Sequence, residues 1–244
     1  IGKQVTKFKV GDRVTVPFVC GCGKCQYCLR GDAQVCPTQT QPGFTGFGSF
    51  AEYVAINNAD FNLVKIPEAL SFATAAALGC RFATAYRGLI KRAHVTASEK
   101  VVIYGCGGVG LSAIMIAKAK GATVYAVDIN DAALKIAESL GAETINSSKV
   151  DPIAYLQNLG GVDLSVDALG SKATAGASVL SLARRGRHLQ LGLLITPDGL
   201  SEIPMARVIA WEIDLLGSHG MSARDYPEML ALVATGVLNP AVLV

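Results

Sequence analysis

The chain carries little net charge and lacks the long apolar runs that membrane proteins need. Its formal net charge is +3 over 244 residues, too small to predict binding to nucleic acid or to a membrane surface. The longest uncharged run, Val101–Ala117, contains four glycines, so a buried strand and a packed helix explain it better than a membrane-spanning helix. No signal-peptide pattern is visible, and we expect a cytoplasmic protein.

Disorder is excluded by composition. Apolar residues make up 51% of the chain and charged residues 17%, which predicts a globular protein with a sizeable core. The sequence starts at Ile1 rather than at a methionine and ends on the apolar string AVLV. We therefore expect a fragment of a longer polypeptide.

Glycine is abundant, and three glycines form the most informative pattern. The apolar run Val101–Tyr104 is followed by Gly105, Gly107 and Gly110 in G-x-G-x-x-G spacing, and then by the amphipathic segment Val109–Lys120. In a strand–turn–helix unit, such glycines permit a tight turn, the approach of a pyrophosphate and close helix packing. The helix N-terminus then offers free N–H groups to the phosphates.

An acidic residue follows at the spacing that nucleotide binding requires. The next apolar run, Thr123–Val127, ends in Asp128, which lies 18 residues after Gly110. Such an acid accepts hydrogen bonds from an adenosine ribose. A glycine turn in an ordinary α/β protein is the alternative, but the flanking strands and the placed acid favour a dinucleotide site.

The rest of this region alternates between strand and helix patterns. Six predicted strands between Val101 and Leu216 indicate a doubly wound parallel sheet. Ser171 and the pair Asp151-Pro152 are typical of helix starts. One more helix is predicted over Tyr226–Ala234.

Residues 1–70 have a different character, rich in glycine, proline and β-branched residues. No helical period is sustained there, so we predict a small all-β lobe with strands in Lys9–Val16, Gly48–Val54 and Leu63–Ile66. From Ser71 onward the pattern becomes helical.

The lobe carries a cysteine motif, C-x2-C-x2-C-x7-C, formed by Cys22, Cys25, Cys28 and Cys36. Four thiolates at short spacing complete a tetrahedral zinc shell and leave no open position, which predicts a structural zinc site. An iron–sulfur cluster and disulfides are the alternatives, the second disfavoured in a cytoplasmic protein. Cys20 does not fit the spacing and is left out.

A cysteine-bearing lobe followed by a dinucleotide domain resembles the zinc-dependent alcohol dehydrogenases of the medium-chain dehydrogenase/reductase superfamily. The resemblance implies an α/β fold, a doubly wound parallel (Rossmann) sheet with a smaller GroES-like β lobe that carries the structural zinc loop. It implies a partial GroES-like catalytic domain over residues 1–80, an NAD-binding domain over 81–218 and a return segment over 219–244. The residues that carry it are Gly11–Val14, the four motif cysteines, Gly48–Tyr53, Cys80 with Thr84, and Gly105–Gly110 with Asp128.

The resemblance also implies a chemistry. A hydride passes between a small-molecule alcohol or aldehyde and NAD, and a catalytic zinc acts as the Lewis acid. Cys80 is implied as a ligand of that zinc, and Asp128 favours NAD because it repels a 2′-phosphate. A homodimer or homotetramer is implied. The other implied cofactor-binding residues are Thr84, Gly105, Gly107, Gly108, Val109, Gly110, Ile129, Leu191, Gly192 and Leu193.

The chain has few histidines that could serve as ligands of a catalytic zinc. The chain has three, and none stands in the Gly-His-Glu string that the family uses for its catalytic zinc. We place His94 in an exposed loop, His188 on a strand edge and His219 after the last strand. Because a catalytic site needs about three protein ligands, we expect no alcohol oxidation by these residues alone. A zinc-free quinone or enoyl reductase, or a non-catalytic nucleotide-binding protein with a structural zinc, stays open.

Overall fold

A computed structural model describes residues 1–195 and 200–243 of the chain. They form two compact units. One, the zinc-loop unit, comprises Ile1–Ala83 together with His219–Val242. The other, the Rossmann unit, comprises Thr84–Ser218. No helix in the described ranges is long and apolar enough to cross a membrane.

From Lys100 onward, strands and α-helices follow one another in alternation. The strands are β1 (Val14–Thr15), β2 (Val64–Lys65), β3 (Lys100–Tyr104), β4 (Thr123–Asp128), β5 (Glu143–Asn146), β6 (Val162–Asp167), β7 (Leu182–Gln190) and β8 (Asp214–Gly217). The α-helices are α1 (Gln26–Arg30), α2 (Ala59–Asn62), α3 (Phe72–Ala77), α4 (Ala83–Tyr86), α5 (Gly108–Ala119), α6 (Asp131–Ser139), α7 (Pro152–Asn158), α8 (Lys172–Leu180), α9 (Met205–Trp211) and α10 (Tyr226–Ala234). Segments Leu78–Phe82 and Arg87–Arg92 are π-helical, and Ala33–Val35, Ala223–Asp225 and Pro240–Leu243 are 3₁₀-helical.

The zinc-loop unit has less strand than the sequence predicts. Among the described residues of this unit, β1 and β2 are the only strands that pair, antiparallel, with Val14 opposite Lys65. The predicted strand Gly48–Val54 is wrong: the segment is irregular, and the side chains of Phe50 and Tyr53 are exposed. A strand persists only where its N–H and C=O groups find a partner strand, and nothing in the described ranges pairs with this segment.

The Rossmann unit has the predicted parallel sheet. Its six strands lie in the order β5-β4-β3-β6-β7-β8, and every neighbouring pair is parallel. Chain order reverses between β3 and β6, which is the switch point where such sheets bind nucleotides. The uncharged run noted above is β3 and α5, both buried on nearly all sides.

The predicted helix starts are confirmed by side-chain caps. Ser71 accepts from the N–H of Thr74 at the start of α3, and Asp151 accepts from Ile153 and Ala154 ahead of Pro152. Ser171 forms a capping box with Thr174 at the start of α8.

One histidine assignment is wrong. His188 lies on β7, which pairs with both β6 and β8, and its side chain is 3% exposed, so it is an interior residue and not an edge residue. The sequence around His188 does not reveal that β8 pairs with the second edge of this strand. His94 is exposed, as predicted.

Candidate functional site

The glycine loop after β3 has the geometry that its spacing predicts. Gly105 has φ of +92°, a left-handed conformation that glycine adopts without strain. A Cβ atom on Gly110 would lie 1.8 Å from the Gly105 carbonyl oxygen, so only glycine permits this contact of helix and loop. A Cβ atom on Gly107 would meet no atom of the described residues within 4 Å. The loop is therefore closed on the protein side at Gly110 and open at Gly107.

The open side faces the start of α5. Gly107 is the N-cap residue, and no side chain caps the helix there. The first turn of a helix has N–H groups without partners inside the helix, and its dipole favours an anion. Gly108 and Val109, in that first turn, are half-buried. These backbone groups fit a pyrophosphate.

Asp128 lies at the carboxyl end of β4 and is tied to the glycine loop. Its Oδ2 accepts the N–H of Cys106 at 2.7 Å, and its Oδ1 accepts the N–H of Asn130 at 2.9 Å. Each carboxylate oxygen keeps a further lone pair for a ligand. The next residue, Ile129, is 72% exposed at the same end of the strand.

Cys106, between the glycines, is not a reactive thiol. It is buried, and that burial, together with the negative charge of Asp128, raises its pKa to about 12. It stays a protonated thiol at neutral pH, so its contribution is its backbone N–H and its packing.

The loop after β7 lies across the switch point from the glycine loop. The N–H groups of Leu191 and Gly192 both donate to the carbonyl of Asp167, at 3.0 and 2.8 Å. Leu191 is buried, whereas Leu193 is 68% exposed. Because β3 and β7 belong to one parallel sheet, with β6 between them, the loops that follow them both lie at its carboxyl edge.

Thr84 belongs to the same unit. It is buried, one helical turn before Gly88. A Cβ atom on Gly88 would lie 2.7 Å from a methyl carbon of Leu191, so this helical segment packs directly on the loop after β7.

Sequence reasoning missed Asp167 and Gln190. Asp167 is completely buried at the end of β6, and its carboxylate accepts from the N–H groups of Leu169 and Gly170 and from the Gln190 amide. The available signal was its position, since Asp167 is the last residue of a central strand, just as Asp128 is the last residue of β4.

The four motif cysteines converge in the zinc-loop unit. Their sulfur atoms all lie within 4.8 Å of one another. Cys22 and Cys28 are 4.0 Å apart and Cys25 and Cys36 are 3.8 Å apart, measured between Sγ atoms. A tetrahedral zinc with Zn–S bonds of about 2.3 Å separates its sulfurs by about 3.8 Å. The cluster therefore fits zinc.

Backbone amides and burial shift the pKa values of two of the motif cysteines in opposite directions. N–H groups of Lys24 and Cys25 point at the Cys22 sulfur and lower its pKa to about 6. Burial raises the pKa of Cys28 to about 12. A bound zinc ion supplies the positive charge that a fully deprotonated set requires.

Asn62 holds this loop in place. Its buried side chain accepts the N–H of Gly21 at 2.9 Å and donates to the Gly21 carbonyl at 3.0 Å and to that of Asn57 at 2.9 Å. Cys20, left out of the predicted ligand set, is buried, and its Sγ lies 3.7 Å from the Pro17 carbonyl oxygen.

Cys80 does not meet a second metal ligand. It is exposed on the π-helical segment Leu78–Phe82. Across residues 1–195 and 200–243, the motif cysteines are the only group of three or more histidine, cysteine or acidic side chains close enough to share an ion. The residues described here thus fit a structural zinc and a dinucleotide, but they do not complete a catalytic zinc site.

Two known protein families match two separate regions of the chain. Residues 1–68 match the alcohol dehydrogenase GroES-like domain, and residues 108–235 match the zinc-binding dehydrogenase domain. The first match contains all four motif cysteines, and the second begins at the N-terminus of α5.

Individual relatives match almost the whole chain. An alcohol dehydrogenase of Geobacillus stearothermophilus is 36% identical over 245 residues, covering 99% of this chain and 71% of its own. One from Moraxella sp. (strain TAE123) is 37% identical, with the same coverage.

Solved structures agree. The alcohol dehydrogenase TADH from Thermus sp. ATN1 superposes with a TM-score of 0.90 at 30% identity, covering 98% of this chain and 71% of that one. The benzyl alcohol dehydrogenase from Acinetobacter calcoaceticus gives 0.87 at 28% identity, covering 100% and 73%. The chain therefore belongs to the zinc-dependent alcohol dehydrogenase family of the medium-chain dehydrogenase/reductase superfamily.

Proposed function

We propose that the site serves hydride transfer between an alcohol and NAD. The observation that carries the proposal is the glycine loop, open at Gly107 and closed at Gly110, with Asp128 fixed beside it. That arrangement is suited to a dinucleotide pyrophosphate and an unmodified adenosine ribose. NAD, when bound, supplies the hydride acceptor.

Different residues bind different parts of the cofactor. The first turn of α5, with Gly108 and Val109, takes the pyrophosphate, and the free lone pairs of Asp128 take the ribose hydroxyls. Ile129 lies beside the adenosine half. At the other end, the backbone of Leu191–Leu193 is a partner for the nicotinamide carboxamide. Thr84 and Val109 pack against the ring.

The motif cysteines hold a structural zinc. Their four sulfurs fill a tetrahedral shell, so no position is left for water or substrate. Cys80 is proposed as one ligand of the catalytic zinc that the family uses. Because the described residues supply no companion ligand, no catalytic step is assigned to such an ion.

A second candidate function follows because Cys80 has no companion zinc ligand among the described residues. A nucleotide-binding protein with one structural zinc and no turnover needs only the two sites that are complete here. Alcohol-dependent formation of NADH would exclude this second candidate, because a binding protein does not reduce NAD.

Three measurements on the purified 244-residue chain test the proposal. Metal analysis after dialysis is expected to find one zinc per chain, and NADH titration is expected to show saturable binding by fluorescence. Absorbance at 340 nm, with primary, secondary and benzylic alcohols and added zinc, is expected to show no turnover by these residues alone. Failure to bind NADH would refute the proposal, a metal-free chain would favour the zinc-free reductase, and turnover would exclude the binding protein.

The homodimer or homotetramer that the resemblance implies stays a prediction. Light scattering with and without NADH measures the mass in solution directly.

A further inference from the structure

A chain of hydrogen bonds crosses the interior of the Rossmann unit and ends at the Leu191–Leu193 turn. The hydroxyls of Ser165 and Ser178 are in contact, and the Ser178 hydroxyl lies 2.9 Å from Nδ1 of His188. Nε2 of His188 lies 3.2 Å from Oε1 of Gln190. Both serines and His188 are buried, so water does not compete for these groups.

The partners fix the direction of each bond. Burial lowers the pKa of His188, so its ring is neutral and carries one N–H. The Gln190 oxygen accepts only, which assigns the proton to Nε2 and leaves Nδ1 to accept from Ser178. Every polar group along this chain has a partner.

Gln190 joins the chain to the turn. Its Nε2 group donates one hydrogen to Oδ2 of Asp167 and the other to the carbonyl of Gly192, each at 2.9 Å. The other oxygen of Asp167 accepts from Leu169 at 3.0 Å and from Gly170 at 2.9 Å. One carboxylate and one amide thus connect the loops after β6 and β7.

The two loops also touch backbone to backbone. A Cβ atom on Gly192 would lie 2.3 Å from the N atom of Gly170, and one on Gly170 would lie 2.3 Å from the Leu193 carbonyl oxygen. Because both positions exclude any side chain, the turn is not held by side-chain packing at this contact. Its hydrogen bonds to Asp167 and Gln190 set its position.

We propose that Gln190 and Asp167 are positioning residues, which hold the Leu191–Leu193 backbone in place for the nicotinamide half of the cofactor. The inference rests on the proposed function, since it concerns the same dinucleotide. A rigid turn presents its N–H and C=O groups without an ordering cost at binding. Neither side chain is placed on the adenosine half, which Asp128 and the start of α5 contact.

Gln190→Met tests the proposal, because methionine has a similar length and no donor. Titrations with NADH and with ADP-ribose, which lacks the nicotinamide ring, separate the two halves of the site. The variant is expected to raise the Kd for NADH about tenfold and to change the Kd for ADP-ribose less than twofold. The emission maximum of bound NADH is expected to shift towards that of free NADH.

The matched control is Gln157→Met. Nε2 of Gln157 also donates to two backbone carbonyls, those of Leu180 and Leu182, at 2.7 and 3.0 Å, but these lie away from the site at the amino end of β7. It is expected to lower the Tm and leave both Kd values unchanged.

Asp167→Asn is a second variant, in case Gln190→Met fails to fold. Its oxygen still accepts from the Leu169 and Gly170 amides, but its NH₂ group faces that of Gln190. The same separation of NADH from ADP-ribose is expected. Equal weakening of both ligands, or no change in either, in a folded variant overturns the positioning role. Failure of the unaltered chain to bind either ligand refutes the proposed function instead.

Discussion

Asp128 and Cys106 are joined by a hydrogen bond of 2.7 Å from the backbone N–H of Cys106 to Oδ2 of Asp128. The bond connects the end of β4 to the glycine loop after β3. The acid proposed to bind the ribose therefore also holds the loop proposed to bind the pyrophosphate. A substitution at Asp128 can affect both roles. A side chain that keeps an acceptor oxygen but carries no charge separates them.

Asp128→Asn removes the charge but keeps an oxygen that can accept the Cys106 N–H. We expect the preference for NADH over NADPH to fall about tenfold or more, because the repulsion of a 2′-phosphate is lost. Fluorescence titration with both cofactors measures the ratio. Asp131→Asn is the control, since that carboxylate is already paired with Lys149 at 2.8 Å. An unchanged ratio in Asp128→Asn would show that this carboxylate does not face the ribose.

Gly107→Ala and Gly110→Ala form a matched pair in one loop. Alanine at Gly107 meets none of the residues that the structure describes and suits the φ of −80°, so the Tm should hold while the Kd for NADH rises at least about tenfold. Alanine at Gly110 collides with the Gly105 carbonyl, which should cost about 3 kcal/mol of folding free energy. Thermal denaturation and NADH titration of both variants check this. Equal thermal losses would contradict the open geometry at Gly107.

Cys25→Ser removes one of the four zinc ligands. Structural zinc contributes on the order of 10 kcal/mol in small isolated modules, so the zinc-loop unit should unfold or aggregate while NADH binding survives. Zinc analysis and limited proteolysis follow the two effects. Cys20→Ser, a buried thiol outside the cluster, should keep its zinc. A Cys25→Ser chain that retained one zinc and its Tm would rule out the structural assignment.

His188 predicts a pH dependence of stability. Burial lowers its pKa in the folded state below the ordinary value of 6.5, so the unfolded state binds the proton first as pH falls. Its stabilising effect is complete above about pH 6.5 and declines below it, by at most about 1.4 kcal/mol per pH unit. His188→Gln should flatten the fall in unfolding free energy between pH 7 and 5, measured by urea denaturation. Exposed His94→Gln should not, and parallel curves for all three proteins would disprove the effect.

Much of the Rossmann unit was predictable from local sequence. Strands such as β3 contain short apolar runs, and caps such as Ser171 and Asp151 mark helix starts by side-chain chemistry alone. The predicted all-β lobe was less accurate. A strand pattern such as Gly48–Val54 states only a local preference, and pairing depends on a partner elsewhere in the fold.

The sequence by itself determined the dinucleotide loop, the four-cysteine zinc motif and the family, because each depends on residue types at short fixed spacings that the backbone must satisfy locally. Only the tertiary structure decided the rest. It placed His188 inside the sheet and joined Asp167 to Gln190, 23 residues away, through a side-chain hydrogen bond. It also showed Cys80 without a companion ligand among the described residues. Those relations depend on which strands lie next to each other in the sheet. The packing of the whole unit determines that order.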